Sequence, residues 1–328
     1  MTGPRPELFL AVSTNPAIDR VARFGGPLEG VVKAGDFLET PGGKAVHTAM
    51  VASRLGARSA LITTAGGSGG RLLLDLLEDE AFPVLPVEVA GATRGTYTLV
   101  SETEADLIEV HEPSAPLGAA ECDRLVGALS SYERPPAVVA VCGSLPTGSP
   151  ADLHARLVAA ARDRGDHTIL DCSSPEALPA ALAEGPDLFT PNLAEARRLL
   201  GADESAPIPA DAELAELGAR LLATGPDAVW LSLGPAGSLL ATEGSMVRLS
   251  VPEPPRAVNA VGCGDALVGG LAAGLLAGDD LERAAALGVA AATEKLGHLH
   301  PGEVEPAAVE RIRKEVGTHP VGPVRGAA

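Results

Sequence analysis

Residues Asn259–Leu275 read NAVGCGDALVGGLAAGL. Small residues and the triplet Gly262, Cys263, Gly264 lead to Asp265, and an apolar run with helical spacing follows. The stretch therefore predicts a glycine-rich turn that opens directly into a buried helix. Free backbone N–H groups and the positive end of the helix dipole converge at such a start, which suits an anion. A carboxylate there would repel a bound phosphate unless it serves the chemistry, for instance as the base for a hydroxyl that attacks phosphorus. The same local pattern also suits an aspartate that only caps a core helix. The rest of the chain has to separate the two.

The chain has 328 residues and a formal charge of −18. The length suits one large α/β domain with an appendage, or two domains. The negative charge argues against nucleic acid and anionic membrane surfaces as partners. It also means that any site for an anionic substrate must be locally positive. Aromatic residues make up only 2% of the chain, so Ala, Val and Leu must build the core. Cys122, Cys142, Cys172 and Cys263 form no CxxC pair and no metal spacing, and read as reduced thiols of a cytoplasmic protein. No apolar run is long enough to span a bilayer.

Moving toward the N-terminus, LFLAVS (Leu8–Ser13) predicts a buried strand that ends in the polar cluster TNPAIDR. Short alternating pieces follow up to Thr40 and read as β-structure. Lys44 opens a helix that Gly56 ends. A lysine in a first turn is poor for the dipole and good for an anion. GGSGG (Gly66–Gly70) lacks the GxxxxGK pattern and reads as a flexible loop. Residues 90–113 alternate as further strands with a turn near Glu104–Asp106. From about Leu117 onward helix and strand alternate, which predicts a parallel sheet with helices on both faces. Ser144, Asp171, Asn192 and Glu195 fall at strand ends of that rhythm, where α/β proteins place ligands. Asn192 and Glu195 share a face at a helix start. Ser232 to Gly237 (SLGPAG) predicts two strands joined by a glycine turn. His298 and His300 sit in a Gly/Pro-flanked surface loop without a third metal ligand nearby.

NPAID (Asn15–Asp19), PGGK (Pro41–Lys44), TR (Thr93–Arg94), GSLPTG (Gly143–Gly148), PNLAE (Pro191–Glu195), SLGPAG and GCGD stand in the order seen in the ribokinase-like sugar kinases, the PfkB family. Over residues 8–315 the chain resembles that family. It is most similar to the phosphosugar branch: 1-phosphofructokinase, tagatose-6-phosphate kinase and the minor 6-phosphofructokinase. The resemblance implies a three-layer α/β/α fold, a mostly parallel central sheet, and a small β-sheet lid built by excursions at 16–40 and 90–113. Residues 317–328 are expected to be a disordered tail. The implied reaction is phosphoryl transfer from ATP to a hydroxyl of fructose 1-phosphate, fructose 6-phosphate or tagatose 6-phosphate. Asp265 is then the general base, and the N–H groups of Gly262, Cys263 and Gly264 are the anion hole. Asp19, Gly42, Gly43, Lys44, His47, Arg94 and Ser144 would bind the sugar, with Lys44 and Arg94 on its phosphate. Asn192, Ser232, Gly234 and Gly237 would meet the nucleotide, and Asn192 with Glu195 would order Mg²⁺ through water. Relatives carry Gly and Asn where this chain has Ala45 and His47. Late in the lid, where some relatives have another basic residue, this chain has Glu109, with Lys33 as the candidate replacement. A homodimer through exposed lid edges is compatible with this pattern. Two other functions stay open: a kinase for an unphosphorylated sugar or nucleoside, and an inactive sugar-phosphate-binding relative.

Overall fold

The computed structural model describes residues 6–26, 31, 33–101, 107–135, 137–254 and 257–321. In chain order the elements are β1 (Leu8–Ser13), β2 (Ala17–Phe24), β3 (Asp36–Gly42), α1 (Lys44–Arg54), β4 (Ser59–Ala65), α2 (Gly67–Leu77), β5 (Val84–Glu88), β6 (Arg94–Ser101) and β7 (Leu107–His111). There follow α3 (Ala119–Ser131), β8 (Ala137–Cys142), α4 (Leu153–Arg162), β9 (His167–Asp171), α5 (Leu178–Ala183), β10 (Leu188–Phe189), α6 (Leu193–Leu199), α7 (Asp211–Leu222) and β11 (Ala228–Ser232). The C-terminal part holds β12 (Ser238–Thr242), β13 (Met246–Leu249), α8 (Cys263–Ala277), α9 (Leu281–Lys295), α10 (Pro306–Arg313) and β14 (Thr318–Pro320).

The large sheet runs β14-β13-β12-β11-β10-β9-β8-β1-β4-β5. It is parallel from β11 to β5 and antiparallel from β11 to β14. Alternation along β1 shows why the sheet carries helices on both faces. Leu8, Leu10 and Val12 point into a core shared with α3, α4, α5 and α7. Phe9 and Ala11 point into a second core shared with α1, α2, α8 and α9. Both faces of the strand are buried, so it reads as an unbroken apolar run. Trp230 is fully buried in the second core and donates its indole N–H to Ser238 Oγ at 3.0 Å.

The two excursions meet as a four-stranded sheet, β3-β2-β6-β7, with β2 and β6 parallel and the outer pairs antiparallel. This is the expected lid. No described helix is long and apolar enough to cross a membrane.

Two expectations need correction. The cluster Gly66–Gly70 is not a free loop: Gly67 starts α2, and Gly66 O accepts the N–H groups of both Gly70 and Thr93. The stretch from 317 is not disordered at its start. Thr318–Pro320 add β14 to the edge of β13, and Gly317 exchanges hydrogen bonds with Ser250. An unpaired edge offers backbone groups that even a Pro- and Gly-rich segment can satisfy. Residues 322–328, like the turn at Glu104–Asp106, lie outside the described residues.

Candidate active site

The parallel strands all end on one side, and the lid rises from that edge through β2 and β3. Asp19 comes from β2, His47 from the first turns of α1, Asp171 from the end of β9, and Asp265 from the first turn of α8. The edge of the sheet thus gathers residues that are far apart in the chain.

Gly262 caps α8 in the left-handed conformation, φ 85°. A side chain there would be strained and would also meet Pro301 O at 2.6 Å. The turn aims the helix start at the cleft. Cys263 N–H makes a long bond, 3.3 Å, to Ala260 O, whereas no acceptor among the described residues takes the N–H of Gly264. Burial pushes the Cys263 thiol up to about 11, so it is protonated and no nucleophile at neutral pH.

Asp265 and Asp19 are bridged by His47. Its Nδ1 lies 2.8 Å from Asp265 Oδ2, and its Nε2 lies 2.9 Å from Asp19 Oδ2. The second contact is an ion pair off the line of a hydrogen bond. Burial opposes charge on the imidazole, but the two carboxylates outweigh it and raise His47 to about 9. At neutral pH His47 is therefore an imidazolium held between the two acids. Burial also works against the charge of Asp19, yet His47, Thr96 and Arg94 hold its carboxyl below the usual value. Thr96 donates to Asp19 Oδ1 at 2.5 Å from the facing position on β6. Gly42 makes room for this arrangement, since a Cβ there would fall 2.2 Å from the Asp19 carboxylate.

Lys44 faces the other way. Its ammonium sits 3.0 Å from Asp171 Oδ1 and 3.8 Å from Glu195 Oε1. Burial opposes its charge, but Asp171, Glu195 and Asp265 raise its pKa on balance. Because 31% of the side chain is exposed, water screens part of that attraction. Burial pushes Asp171 up to about 6 against the pull of Lys44. Asn192 and Glu195 form a capping box at the start of α6: Asn192 Oδ1 accepts the Glu195 N–H at 2.9 Å, and Glu195 Oε2 accepts the Asn192 N–H at 3.0 Å. Asn192 also bridges to Ser232 on the neighbouring strand end, just before the Gly234–Ala236 turn and Gly237. The expected nucleotide residues thus stand side by side.

The donor set can be tested against Mg²⁺. No cluster of three or more His, Cys, Asp or Glu side chains suited to a metal occurs among the described residues. The cap engages Asn192 Oδ1 and Glu195 Oε2, which leaves Glu195 Oε1, 3.8 Å from the Lys44 ammonium that also holds Asp171. That set fits a cation that keeps most of its waters, as Mg²⁺ does, and not a closed protein cage.

Arg94 and Ser144 belong to a third group, centred on Asn15. Arg94 Nε and Ser114 Oγ both donate to Asn15 Oδ1, at 3.2 and 2.9 Å, while Asn15 Nδ2 donates to Ser144 Oγ at 2.9 Å. Arg94 is held by Asn15, and Lys44 by Asp171 and Glu195, so different groups orient the two cations. Glu109 is exposed on β7 beside His111, 3.4 Å away, and Lys33 is exposed as well. Asn15, Thr96 and Ser114 were missed as site residues. Asn15 lies inside the quoted NPAID, and Thr96 follows Arg94 by two, on the same face of a strand. His298 pairs with Glu294 at 2.6 Å, and His300 Nδ1 accepts the Gly302 N–H at 3.0 Å; neither serves a metal cluster.

The model of the pfkB family of carbohydrate kinases matches residues 12–308. The chain is 29% identical over 315 residues to 1-phosphofructokinase of Rhodobacter capsulatus, covering 95% of this chain and 98% of that protein. It is 31% identical over 299 residues to ATP-dependent 6-phosphofructokinase isozyme 2 of Mycobacterium tuberculosis, covering 90% of this chain and 85% of that protein. Among solved structures, phosphofructokinase-2 of Escherichia coli in complex with fructose-6-phosphate superposes with a TM-score of 0.82 at 27% identity, covering 94% of this chain and 98% of that one. The chain belongs to the pfkB family of carbohydrate kinases and is an ATP-dependent sugar kinase.

Proposed function

Starting from that membership, we propose that this kinase phosphorylates a hydroxyl of a phosphorylated ketohexose, with Asp265 as general base. The observation that carries the reading is the placement of Asp265 at the α8 N-terminus, next to the Gly264 N–H, which no described residue accepts, and 2.8 Å from the His47 imidazolium. His47 orients the base. The carboxylate of Asp265 takes the hydroxyl proton as the sugar oxygen attacks the γ-phosphorus. The N–H groups of Gly262 and Gly264 meet the charge that develops on the transferring phosphoryl, each worth about 3–4 kcal/mol by comparison with oxyanion holes. Asp19 holds sugar hydroxyls from the lid. Mg²⁺, when bound, neutralises phosphate charge, and Glu195 would hold it through water.

The partners of the two cations support different anions for them. Arg94, tied to Asn15 near Asp19, is the cation for the substrate's own phosphate. Lys44, held between Asp171 and Glu195, faces the nucleotide side and would meet the transferring group. A single cation at the sugar end also favours a second reading, an unphosphorylated sugar as acceptor.

ADP release from Mg-ATP, measured with fructose 1-phosphate, fructose 6-phosphate, tagatose 6-phosphate, ribose, fructose and several nucleosides, separates the two. Turnover with a phosphosugar alone is the expected result. Turnover with neutral sugars alone would remove Arg94 from a phosphate and keep Asp265 as base.

The lid exposes Phe37 on β3 and Leu107, Ile108 and Val110 on β7. These apolar edges support a homodimer joined lid to lid. Light scattering should give twice the chain mass for the wild type and the single mass for Ile108→Lys. A monomeric wild type would end the dimer reading.

A further inference from the structure

Lys295, the last residue of α9, is fully buried, and its ammonium donates to the carbonyl oxygen of Asn259 at 2.7 Å. Asn259 begins the loop that becomes the Gly262–Asp265 anion site. Burying an ammonium costs several kcal/mol, and such groups are normally paired with a carboxylate. Among the described residues Lys295 makes no ion pair within contact distance; its recorded acceptor is a neutral carbonyl.

The same loop is tied to the segment after α9 by neutral bonds. Val258 N–H and Asn259 N–H both donate to Leu296 O, at 2.6 and 3.3 Å, and Asn259 Nδ2 donates to Leu299 O at 2.9 Å. Asn259 Oδ1 accepts the Val261 N–H at 3.0 Å. The ammonium is the only charged group among these ties. Resting on the reading of this loop as the anion site, we propose that Lys295 is a built-in monovalent cation: it holds the Asn259 carbonyl, and through it positions the Gly262–Asp265 turn for phosphoryl transfer.

Three features support this assignment. Carbonyl oxygens can replace the water shell of a potassium ion, and an ammonium is the covalent counterpart of such an ion. Burial draws Lys295 down to about 8, with Cys263, Asp265 and Glu303 pulling the other way, so the group still carries its proton at pH 7. A fixed positive charge behind the loop also favours the anion that the loop receives. Lys295 touches no reacting atom in this scheme and is a positioning residue. The positive charge behind the loop is thus part of the chain.

The test compares wild type and Lys295→Met in potassium, sodium, ammonium and tetramethylammonium chloride at matched ionic strength. The wild type should turn over equally in all four salts. Lys295→Met should lose roughly ten- to a hundredfold in kcat, less than the removal of a whole oxyanion donor and its hydrogen bond. Its sugar KM should stay within about twofold, because the lost function is in the transition state. Potassium or ammonium, and not tetramethylammonium, should restore about tenfold of the loss. A wild type stimulated severalfold by potassium would overturn the proposal, as would a Lys295→Met enzyme with unchanged kcat or with a loss that no small cation repairs.

Melting curves in the same salts keep this separate from the kinase reading. If no sugar in the panel is phosphorylated, the function falls. The cation assignment then stands only if potassium raises the melting temperature of Lys295→Met and leaves the wild type unmoved. If Lys295→Met does not fold in any salt, the wild-type comparison decides, with indifference to the cation in support and stimulation against.

Discussion

The α8 side of the cleft and the lid side supply one carboxylate each, and the two are built on different physics. Asp265 stands on a helix whose residues from Ala266 to Leu275 are all buried between α1 and α9. Asp19 stands on a strand of a small sheet whose outer strand β7 is exposed along its length. The lid is stitched by half-exposed ion pairs, Arg20 to Glu39 at 2.9 Å and Arg23 to Asp36. Exposed pairs of this kind contribute about 0–1 kcal/mol each. The first region holds its charge by packing, and the second by polar contacts at a partly exposed sheet. His47 is the joint between them.

The largest expected effect breaks the packed side. Asp265→Asn should lower kcat roughly a thousandfold or more, within the range for loss of a general base, while cooperative melting is retained. Turnover within tenfold of wild type would remove Asp265 from the chemistry. The next effect falls on the lid side. Gly42→Ala places a Cβ where the Asp19 carboxylate now lies, 2.2 Å away. Displacing that carboxylate should cost about a hundredfold in kcat/KM for the sugar with the KM for ATP unchanged. An unaltered sugar kcat/KM would mean that Asp19 does not hold the acceptor.

The smallest effect tests the joint. His47 is raised in the folded protein from 6.5 to about 9, so its contribution to stability is whole below pH 6.5 and is lost as pH rises through about 9. The wild type should lose on the order of 1–3 kcal/mol across that window. His47→Gln should be less stable at pH 6.5 and show a flatter curve. Equal slopes in the two proteins would show that the imidazolium does not link core and lid.

Much of the site was legible because its signals are local. GCGD before an apolar run specifies a turn and a helix N-terminus, and NLAE specifies a capping box, because both depend on residues within one helical turn. The same NLAE shows a limit of local reading: the cap it specifies engages Asn192 Oδ1, whatever else the pair does. For Lys44 the family resemblance implied a place near the sugar's phosphate, and the local sequence showed only a lysine in a helix's first turn. Its actual partners, Asp171 and Glu195, are 127 and 151 positions away, and no periodicity carries such a contact.

By itself the sequence determined the alternation of strands and helices, the short β pieces before Thr40 and the glycine turn into the α8 start, because hydrophobic period, glycine and caps act within a few residues; the resemblance grouped the β pieces into a lid. Only the tertiary structure decided which strand ends meet. It set His47 between two acids drawn from the lid and from a helix 218 residues on, placed Lys44 against Asp171 and Glu195, and placed Lys295 against the Asn259 carbonyl. Charges buried at such meetings interact through a low-dielectric interior, and their partners are chosen by the order of strands in the sheet, which no local pattern records.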